Sequence, residues 1–114
     1  MHIDSYQFGE IVIDGVEYDS DVIILGDSVN SNWWREQGHL LSAKDLEAVI
    51  AAKPSVLVVG CGASGCMKVP EQTRQFLQEH NIQLESLDTY KAVQRFNELS
   101  KTGVNVAAAL HLTC

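Results

Sequence analysis

The sequence predicts a small α/β domain with a mixed central sheet, and three observations lead to this prediction. The 114 residues suffice for one hydrophobic core, and 46% of them are apolar. The second half alternates apolar runs with amphipathic helical segments, as parallel strands joined by helices do. The first third instead carries a hairpin signal, Asp14-Gly15. We therefore expect one domain, residues 1–114, with three layers: helices on both faces of the sheet and an added N-terminal β-hairpin layer.

The N-terminal third is predicted to be β-structure. Tyr6 and Phe8 alternate with polar neighbours, as on a half-buried strand. Residues 11–13 and 16–18 flank the Asp14-Gly15 turn and form the hairpin. Residues 22–25 are a continuous aliphatic run, mostly β-branched, which favours a strand covered on both faces.

Residues 26–41 show no clear periodicity and form a connection longer than most in compact domains. The connection holds four conspicuous side chains: Trp33, Trp34, Arg35 and His39. Such a segment is either a binding loop or a cover over the edge of a core, and the second is the commoner case. Ser42 and Asp45 then form a variant capping box at the start of a helix that Pro54 ends.

The second half is predicted to contain three strands and two helices. Residues 55–59 form a buried strand that runs into the glycine-rich turn 60–65. Pro70 takes the first position of a helix that continues to His80 with Phe76 and Leu77 inward, and residues 82–87 form a shorter strand. Thr89 caps the next helix, and residues 104–112 form the last strand. Right-handed crossovers would make these three strands parallel.

The charge distribution limits the classes of partner. The formal net charge is -7, and the first 27 residues contain seven acidic residues but no Lys or Arg. Such a surface repels phosphate backbones, so nucleic acid is not an expected partner. The acidic residues are either a solvated rim on edge strands or, less commonly, a docking face for a basic protein.

Composition also limits location and redox chemistry. No apolar run approaches the roughly 20 residues that a membrane span requires, and the first residues lack a basic segment followed by an apolar one. We therefore expect a soluble, cytoplasmic protein with no membrane partner. Three cysteines are too few for a disulfide framework, so reduced thiols are expected.

The candidate site follows from the predicted topology. In open α/β sheets, ligands bind beyond the carboxyl ends of the strands. Parallel strands would bring the glycine turn, residues 88–89 and the terminal residues 111–114 to that edge. The predicted candidate ligand edge comprises eight residues: Gly60, Cys61, Gly62, Lys68, Thr89, Asn97, His111 and Cys114.

The glycine turn matches the dinucleotide-binding pattern G-x-G-x-x-G, but two features weaken the match. Pro70 delays the helix, whose N-terminal amides should face the pyrophosphate, and the chain is short for two nucleotide-binding halves. We therefore predict no cofactor. The turn could hold a small anion on its backbone amides beside Lys68, or its glycines could simply permit a sharp turn.

The thiols offer further alternatives. Cys61, Cys66, His111 and Cys114 have spacings that a tetrahedral zinc site would accept. A Cys61–Cys66 disulfide or a reactive Cys61 near a helix start is another alternative, although a buried, inert cysteine is commoner. No Ser/His/Asp order, paired catalytic carboxylates or Walker-type loop is present. The prediction is therefore no metal and no catalytic residue.

Short motifs along nearly the whole chain together resemble one family. They are the hairpin with Phe8-Gly9 and Tyr18, Trp34-Arg35-Glu36, Gly60-x-Gly62, Val69-Pro70, Thr89-x-x-Ala92-Val93, Phe96-Asn97-x-Leu99, Gly103-Val104-x-Val106 and His111-x-Thr113-Cys114. The order of these motifs resembles the adipogenesis-associated Mth-domain proteins, with the mitochondrial complex I assembly factor three proteins as more distant relatives. Phe96 is a departure, since some relatives have Tyr there.

The resemblance implies a three-layer α/β fold and no established catalytic activity. The roles of its branches, in adipocyte differentiation and in assembly of a respiratory complex, imply interaction work. The function expected is thus a non-enzymatic protein-interaction or assembly module. The alternative is a small-molecule or anion-binding protein, or an undescribed enzyme, with a site at the glycine-turn edge.

Overall fold

The computed structural model describes residues 1–114 and contains eight strands, three α-helices and one short 3-10 helix. In chain order the elements are β1 (Ile3–Gln7), β2 (Glu10–Ile13), β3 (Val16–Tyr18), β4 (Val22–Leu25), β5 (Ser28–Asn30), the 3-10 helix (Ala43–Leu46), α1 (Glu47–Ala52), β6 (Val56–Cys61), α2 (Glu71–Glu79), β7 (Gln83–Leu87), α3 (Thr89–Lys101) and β8 (Val106–His111). None of the helices has both the length and the apolar character needed to cross a membrane.

The main sheet is mixed, as predicted. Its five strands lie in the order β5-β4-β8-β6-β7, and β6 runs parallel to both of its neighbours. Strand β4 is antiparallel to β8 and to β5. The parallel arrangement expected for the three C-terminal strands is therefore confirmed, and their carboxyl ends meet at one edge.

Two hydrophobic cores lie on opposite faces of this sheet. One contains Phe96 of α3 and Ile11 of the small β1-β2-β3 sheet. The other contains Val49 of α1 and Leu77 of α2. Residues alternate between these cores along β4, because successive side chains of a strand point to opposite faces. The predicted three layers and the doubly covered fourth strand are confirmed.

The N-terminal hairpin forms at the predicted turn. Asp14 and Gly15 have φ angles of 47° and 80°, the positive values that a two-residue I′ turn requires. The expectation for Phe8 is wrong, because this residue lies in the turn after β1, where strand alternation no longer applies, and is 60% exposed. The buried residue of β1 is Ile3.

Several boundaries differ from the expectation. Residues 28–30 form β5, which an apolar pattern could not signal because Val29 is its only apolar residue. Strand β6 continues through Gly60 and Cys61, so the turn proper begins at Gly62. Helix α1 follows the capping box of Ser42 through a 3-10 turn, and it is therefore shorter than predicted.

The helix caps differ as well. Pro70 is the N-cap residue of α2 rather than its first residue, with an extended ψ of 158°. Within α2, Leu77 is buried as predicted, whereas Phe76 is only half-buried. Asp88, and not Thr89, caps α3, because its carboxylate accepts a hydrogen bond from the backbone N–H of Lys91 at 3.0 Å. The hydroxyl of Thr89 is consequently free for other bonds.

Candidate functional site

Thr89 joins three elements at the carboxyl end of β6. Its buried hydroxyl accepts a hydrogen bond from the backbone N–H of Gly62 at 2.8 Å and donates one to the carbonyl of His111 at 2.6 Å. A Cβ at Gly60 would lie 2.9 Å from both Thr89 and Leu110, so only glycine permits this approach. The predicted residues of the glycine turn, Thr89 and His111 are therefore brought together.

The glycine turn is hydrogen-bonded to, and packs closely against, residues 113–114. Gly62 has a φ of 102°, and a Cβ there would overlap the backbone of Cys114. The N–H of Ala63 donates to the carbonyl of Thr113 at 2.7 Å, and that of Cys66 to the carbonyl of Cys114 at 3.0 Å. These amides are the groups that the anion hypothesis assigned to a ligand. The amides of Ala63 and Cys66 are therefore already occupied within the chain.

A buried group of charged and polar side chains, Asp21, Arg35 and His111, lies beside this turn. Their side chains are 17%, 5% and 7% exposed. One carboxylate oxygen of Asp21 lies 2.8 Å from Nδ1 of His111 and 2.9 Å from a guanidinium nitrogen of Arg35. The other oxygen accepts the N–H of Leu112 at 2.8 Å. The group fixes the connection 26–41 to the end of β8.

The protonation state of this group follows from its partners. Burial raises the pKa of Asp21, but hydrogen bonds from His111, Leu112 and Arg35 outweigh burial and bring the pKa below its ordinary 3.8. Nδ1 of His111 lies 2.8 Å from the carboxylate of Asp21 and 3.0 Å from a guanidinium nitrogen of Arg35. The shorter contact is to a carboxylate, which only accepts, and it favours the tautomer in which Nδ1 carries the proton and donates a hydrogen bond to Asp21. Arg35 donates to the carbonyl of Gly38 at 2.9 and 3.1 Å. Nε2 of His111 is buried without a hydrogen-bond partner.

A carboxylate-oriented imidazole with a free Nε2 is an arrangement that also occurs in general bases and in metal ligands. None of the three clefts in the structure is lined by Asp21, Arg35 or His111. The His39 ring packs edge-on against His111 at 5.6 Å between centroids, and the guanidinium of Arg35 lies over Trp33 at 4.7 Å. The connection 26–41 therefore covers this part of the core edge.

Asn97 does not belong to the candidate edge, which corrects that part of the prediction. Its side chain makes two hydrogen bonds of 2.9 Å to the backbone of Ile3. It lies eight residues along α3 from Thr89, or about 12 Å at 1.5 Å per residue. Asn97 thus attaches β1 to α3, in the middle of the layer that covers the sheet.

The cysteines do not form the metal or disulfide sites that were considered. All three are free: Cys61 is buried, Cys66 half-buried and Cys114 exposed. No group of three or more His, Cys, Asp or Glu side chains is arranged to hold a metal ion. Burial raises the pKa of the Cys61 thiol above its ordinary 9.0, and the nearby cations Arg74 and Lys68 offset this only in part. The thiol is therefore protonated at neutral pH, which argues against the hypothesis that Cys61 is a reactive thiolate.

An open cleft of about 310 Å³ lies on the other side of β6, between its carboxyl end and that of β7. We call it the β6/β7 cleft and define it by five side chains: Cys61, Lys68, Arg74, Ser86 and Asp88. Cys61 and Lys68 were predicted as site residues, whereas Arg74 and Ser86 were not. Arg74 lies in the first turn of α2, where side chains point back towards the helix N-terminus and hence towards the strand ends. The position of Arg74 in the first turn of this helix is the sequence signal that could have identified it as a site residue.

Comparison with known proteins places the chain in a family. The family model described as "Protein of unknown function (DUF498/DUF598)" matches residues 3–111. The structure resembles that of a protein called MT938, with a TM-score of 0.83 and 28% identity over 99% of this chain and 98% of that chain.

Two further structures share the fold. One is called an outer membrane protein of Bartonella henselae, with a TM-score of 0.83 and 24% identity over 98% of this chain and 94% of that chain. The other is a Bordetella pertussis protein described as a Mth938-like domain, with a TM-score of 0.76 and 23% identity over 97% of this chain and 85% of that chain. The family resemblance inferred from the motifs is confirmed. The chain belongs to the DUF498/DUF598 family of proteins of unknown function and has the Mth938-like α/β fold.

Proposed function

We propose that this domain is a non-enzymatic protein-interaction module that docks an assembly partner through exposed aromatic side chains. Phe8, Trp34 and Tyr90, here called the aromatic rim, are 60%, 76% and 48% exposed. Large aromatic residues are enriched among the side chains that dominate the binding energy of protein interfaces. Their exposure is the observation that carries the proposal.

Two members of the aromatic rim are fixed near the carbonyl of Leu112. Phe8 precedes Gly9, whose N–H donates to that carbonyl at 2.9 Å. Tyr90 packs edge-on against Tyr6 at 4.7 Å, and the hydroxyl of Tyr6 donates to the same carbonyl at 2.7 Å. Phe8 and Tyr90 therefore lie close to the end of β8 and border a common surface.

The backbone on both sides of Trp34, the third member of the aromatic rim, is anchored. The N–H of Trp33 donates to the backbone carbonyl of Asp21 at 2.9 Å, and the carboxylate of Asp21 accepts from Leu112. On the other side of Trp34, Arg35 is anchored in the buried charged group. Because its neighbours are anchored, Trp34 loses little backbone freedom on binding, which favours its use in an interface.

The partner we propose presents a basic segment. The first 27 residues contain seven acidic residues and no Lys or Arg, and Glu10 lies two residues after Phe8. A hydrogen bond with Glu10, together with the charge of Glu10, raises the pKa of Glu17, so these carboxylates crowd each other. A cationic partner relieves this repulsion, whereas a second copy with a net charge of -7 adds to it. The free cysteines favour a reducing compartment, and we propose the cytoplasm.

The test is quantitative affinity purification with wild-type protein and two variants. Phe8→Ser/Trp34→Ser removes most of the aromatic rim, while Val104→Ser removes an exposed apolar residue, 36% exposed, that precedes β8 at its opposite end. Purified partners retained by wild type and Val104→Ser should bind the rim variant about thirtyfold more weakly. They should also carry basic segments and bind more weakly as salt increases. A partner set that is the same for all three proteins would contradict the proposal.

A further inference from the structure

The β6/β7 cleft lies where the topology of the sheet changes direction. From β6 the chain continues into α2, whose Leu77 packs in the core shared with α1. From β7 it continues into α3, whose Phe96 packs in the core on the opposite face. Two adjacent parallel strands with connections to opposite faces leave a crevice between their carboxyl ends, and open α/β sheets bind ligands there.

The size of the cleft favours a small ligand. Its volume of about 310 Å³ is at the lower limit of the range for small-molecule sites, about 300–1,000 Å³. The buried Cys61 lines it, and Ser86 supplies a hydroxyl near the end of β7. Both are neutral groups that can donate a hydrogen bond.

Two cations of the cleft lack an acidic partner. The guanidinium of Arg74 is held by the carbonyl of Val69 at 3.2 Å and by the hydroxyl of Ser86 at 3.1 Å, and it forms no ion pair. Lys68 lines the same cleft, and its ammonium takes part in none of the ion pairs of the chain. Arg95, by contrast, is paired with Glu85 and Glu98.

The one carboxylate of the cleft is already engaged. One oxygen of Asp88 caps α3, and the other lies 3.8 Å from the ammonium of Lys91. The cleft is therefore locally cationic in a chain with a net charge of -7. A fixed guanidinium beside a free ammonium is suited to bind a phosphate oxyanion, because the guanidinium fixes its orientation and the ammonium adds a movable charge.

We propose that the β6/β7 cleft is a binding site for a small phosphate-bearing molecule, with Arg74 and Lys68 holding the phosphate and Ser86 donating a hydroxyl. The site shares no residue with the aromatic rim, and its existence does not depend on the interaction function proposed above. We place the phosphate on these side chains rather than on the glycine turn, since the amides of Ala63 and Cys66 are bonded to the carbonyls of Thr113 and Cys114.

The test is a titration of the full chain, labelled with ¹⁵N, with sodium phosphate at constant ionic strength, followed by amide chemical shifts. We expect saturable shifts at Cys61, Lys68 and Ser86, and smaller shifts at Phe8 and Trp34. Arg74→Gln should weaken the affinity about fivefold, since a charge-assisted pair is lost at an exposed site.

Arg95→Gln is the matched control, because it removes the same charge outside the cleft. Lys68→Gln is the second variant, since Lys68 has no side-chain bond within the chain whose loss could perturb folding, and it should also weaken binding. Equal weakening by Arg95→Gln would reduce the effect to net charge and overturn the proposal. So would shifts that do not saturate, or saturable shifts elsewhere on the surface.

Discussion

The carboxyl edge of the central sheet has two sides that use their polar groups differently. On the β6/β8 side, Thr89, Asp21 and the amides of the glycine turn are bonded within the chain, and no cleft opens. On the β6/β7 side, Lys68 and Arg74 border an open cleft without an acidic partner. The residues that the sequence marks as site candidates on the β6/β8 side therefore stabilise the edge of the sheet. The side chains that are available to a ligand lie on the β6/β7 side.

The difference has a topological cause. After β8 the chain continues along the sheet edge, so residues 112–114 fill the space beyond β6 and β8. After β7 it turns directly into α3, and nothing fills the space between β6 and β7. The same turn, residues 62–66, thus borders a packed side and an open side.

If the β6/β8 side is structural, the largest loss of stability should follow substitution of Asp21. Asp21→Asn keeps the shape of the side chain but leaves the guanidinium of Arg35, only 5% exposed, without its counter-charge. We expect the free energy of unfolding to fall by about 3 kcal/mol, measured by urea denaturation. The control is Glu85→Gln, whose partner Arg95 is 38% exposed, with an expected loss below about 1 kcal/mol.

The pH dependence of this difference gives a second readout. The pKa of Asp21 is below 3.8 in the folded protein, so the unfolded chain takes up this proton first as pH falls. The stabilisation by ionised Asp21 is complete above about pH 4 and is lost as pH falls through the folded pKa. The stability difference between wild type and Asp21→Asn should therefore shrink on acidification. A constant difference would argue against an ion-paired Asp21.

The next effect concerns the hydroxyl of Thr89. Thr89→Val keeps the shape but leaves the N–H of Gly62 and the carbonyl of His111 without their buried partner. We expect a loss of about 2 kcal/mol, and below about 1 kcal/mol for Thr89→Ser, which retains the hydroxyl. Equal losses for the two variants would mean that the methyl group matters and that the hydroxyl bridge does not.

Much of the fold could be predicted from local patterns. Local sequence signals exist for the Asp14-Gly15 turn, for the buried apolar runs of β4 and β6 and for the apolar stripe of α3. The preference for right-handed crossover connections then predicts that the C-terminal strands are parallel. Strand β5 could not be predicted, since it exists through hydrogen bonds to β4 rather than through its own residues. Phe8 was misplaced because a turn interrupts the alternation at that residue.

The site was less predictable because it depends on pairing between distant residues. Topology placed Gly62, Thr89 and His111 at one edge, and the structure agrees. No sequence signal shows that Asp21 binds a histidine 90 residues away, or that a motif residue, Asn97, binds the backbone of Ile3. Spacing indicates which residues meet, but it does not indicate whether their polar groups remain free for a ligand.

The smallest effect on stability is expected at Lys68, on the open side. Lys68→Gln breaks no bond of its side chain within the chain, so the free energy of unfolding should change by no more than about 0.5 kcal/mol. The variant should instead lose stabilisation by ligand, which for wild type at ten times the dissociation constant amounts to about 1.4 kcal/mol. Phosphate also stabilises proteins by exclusion from their surface, so thermal unfolding of Arg95→Gln supplies the baseline. If phosphate stabilises Lys68→Gln against thermal unfolding as much as it stabilises Arg95→Gln, the β6/β7 cleft does not bind phosphate through Lys68, and the proposal is contradicted.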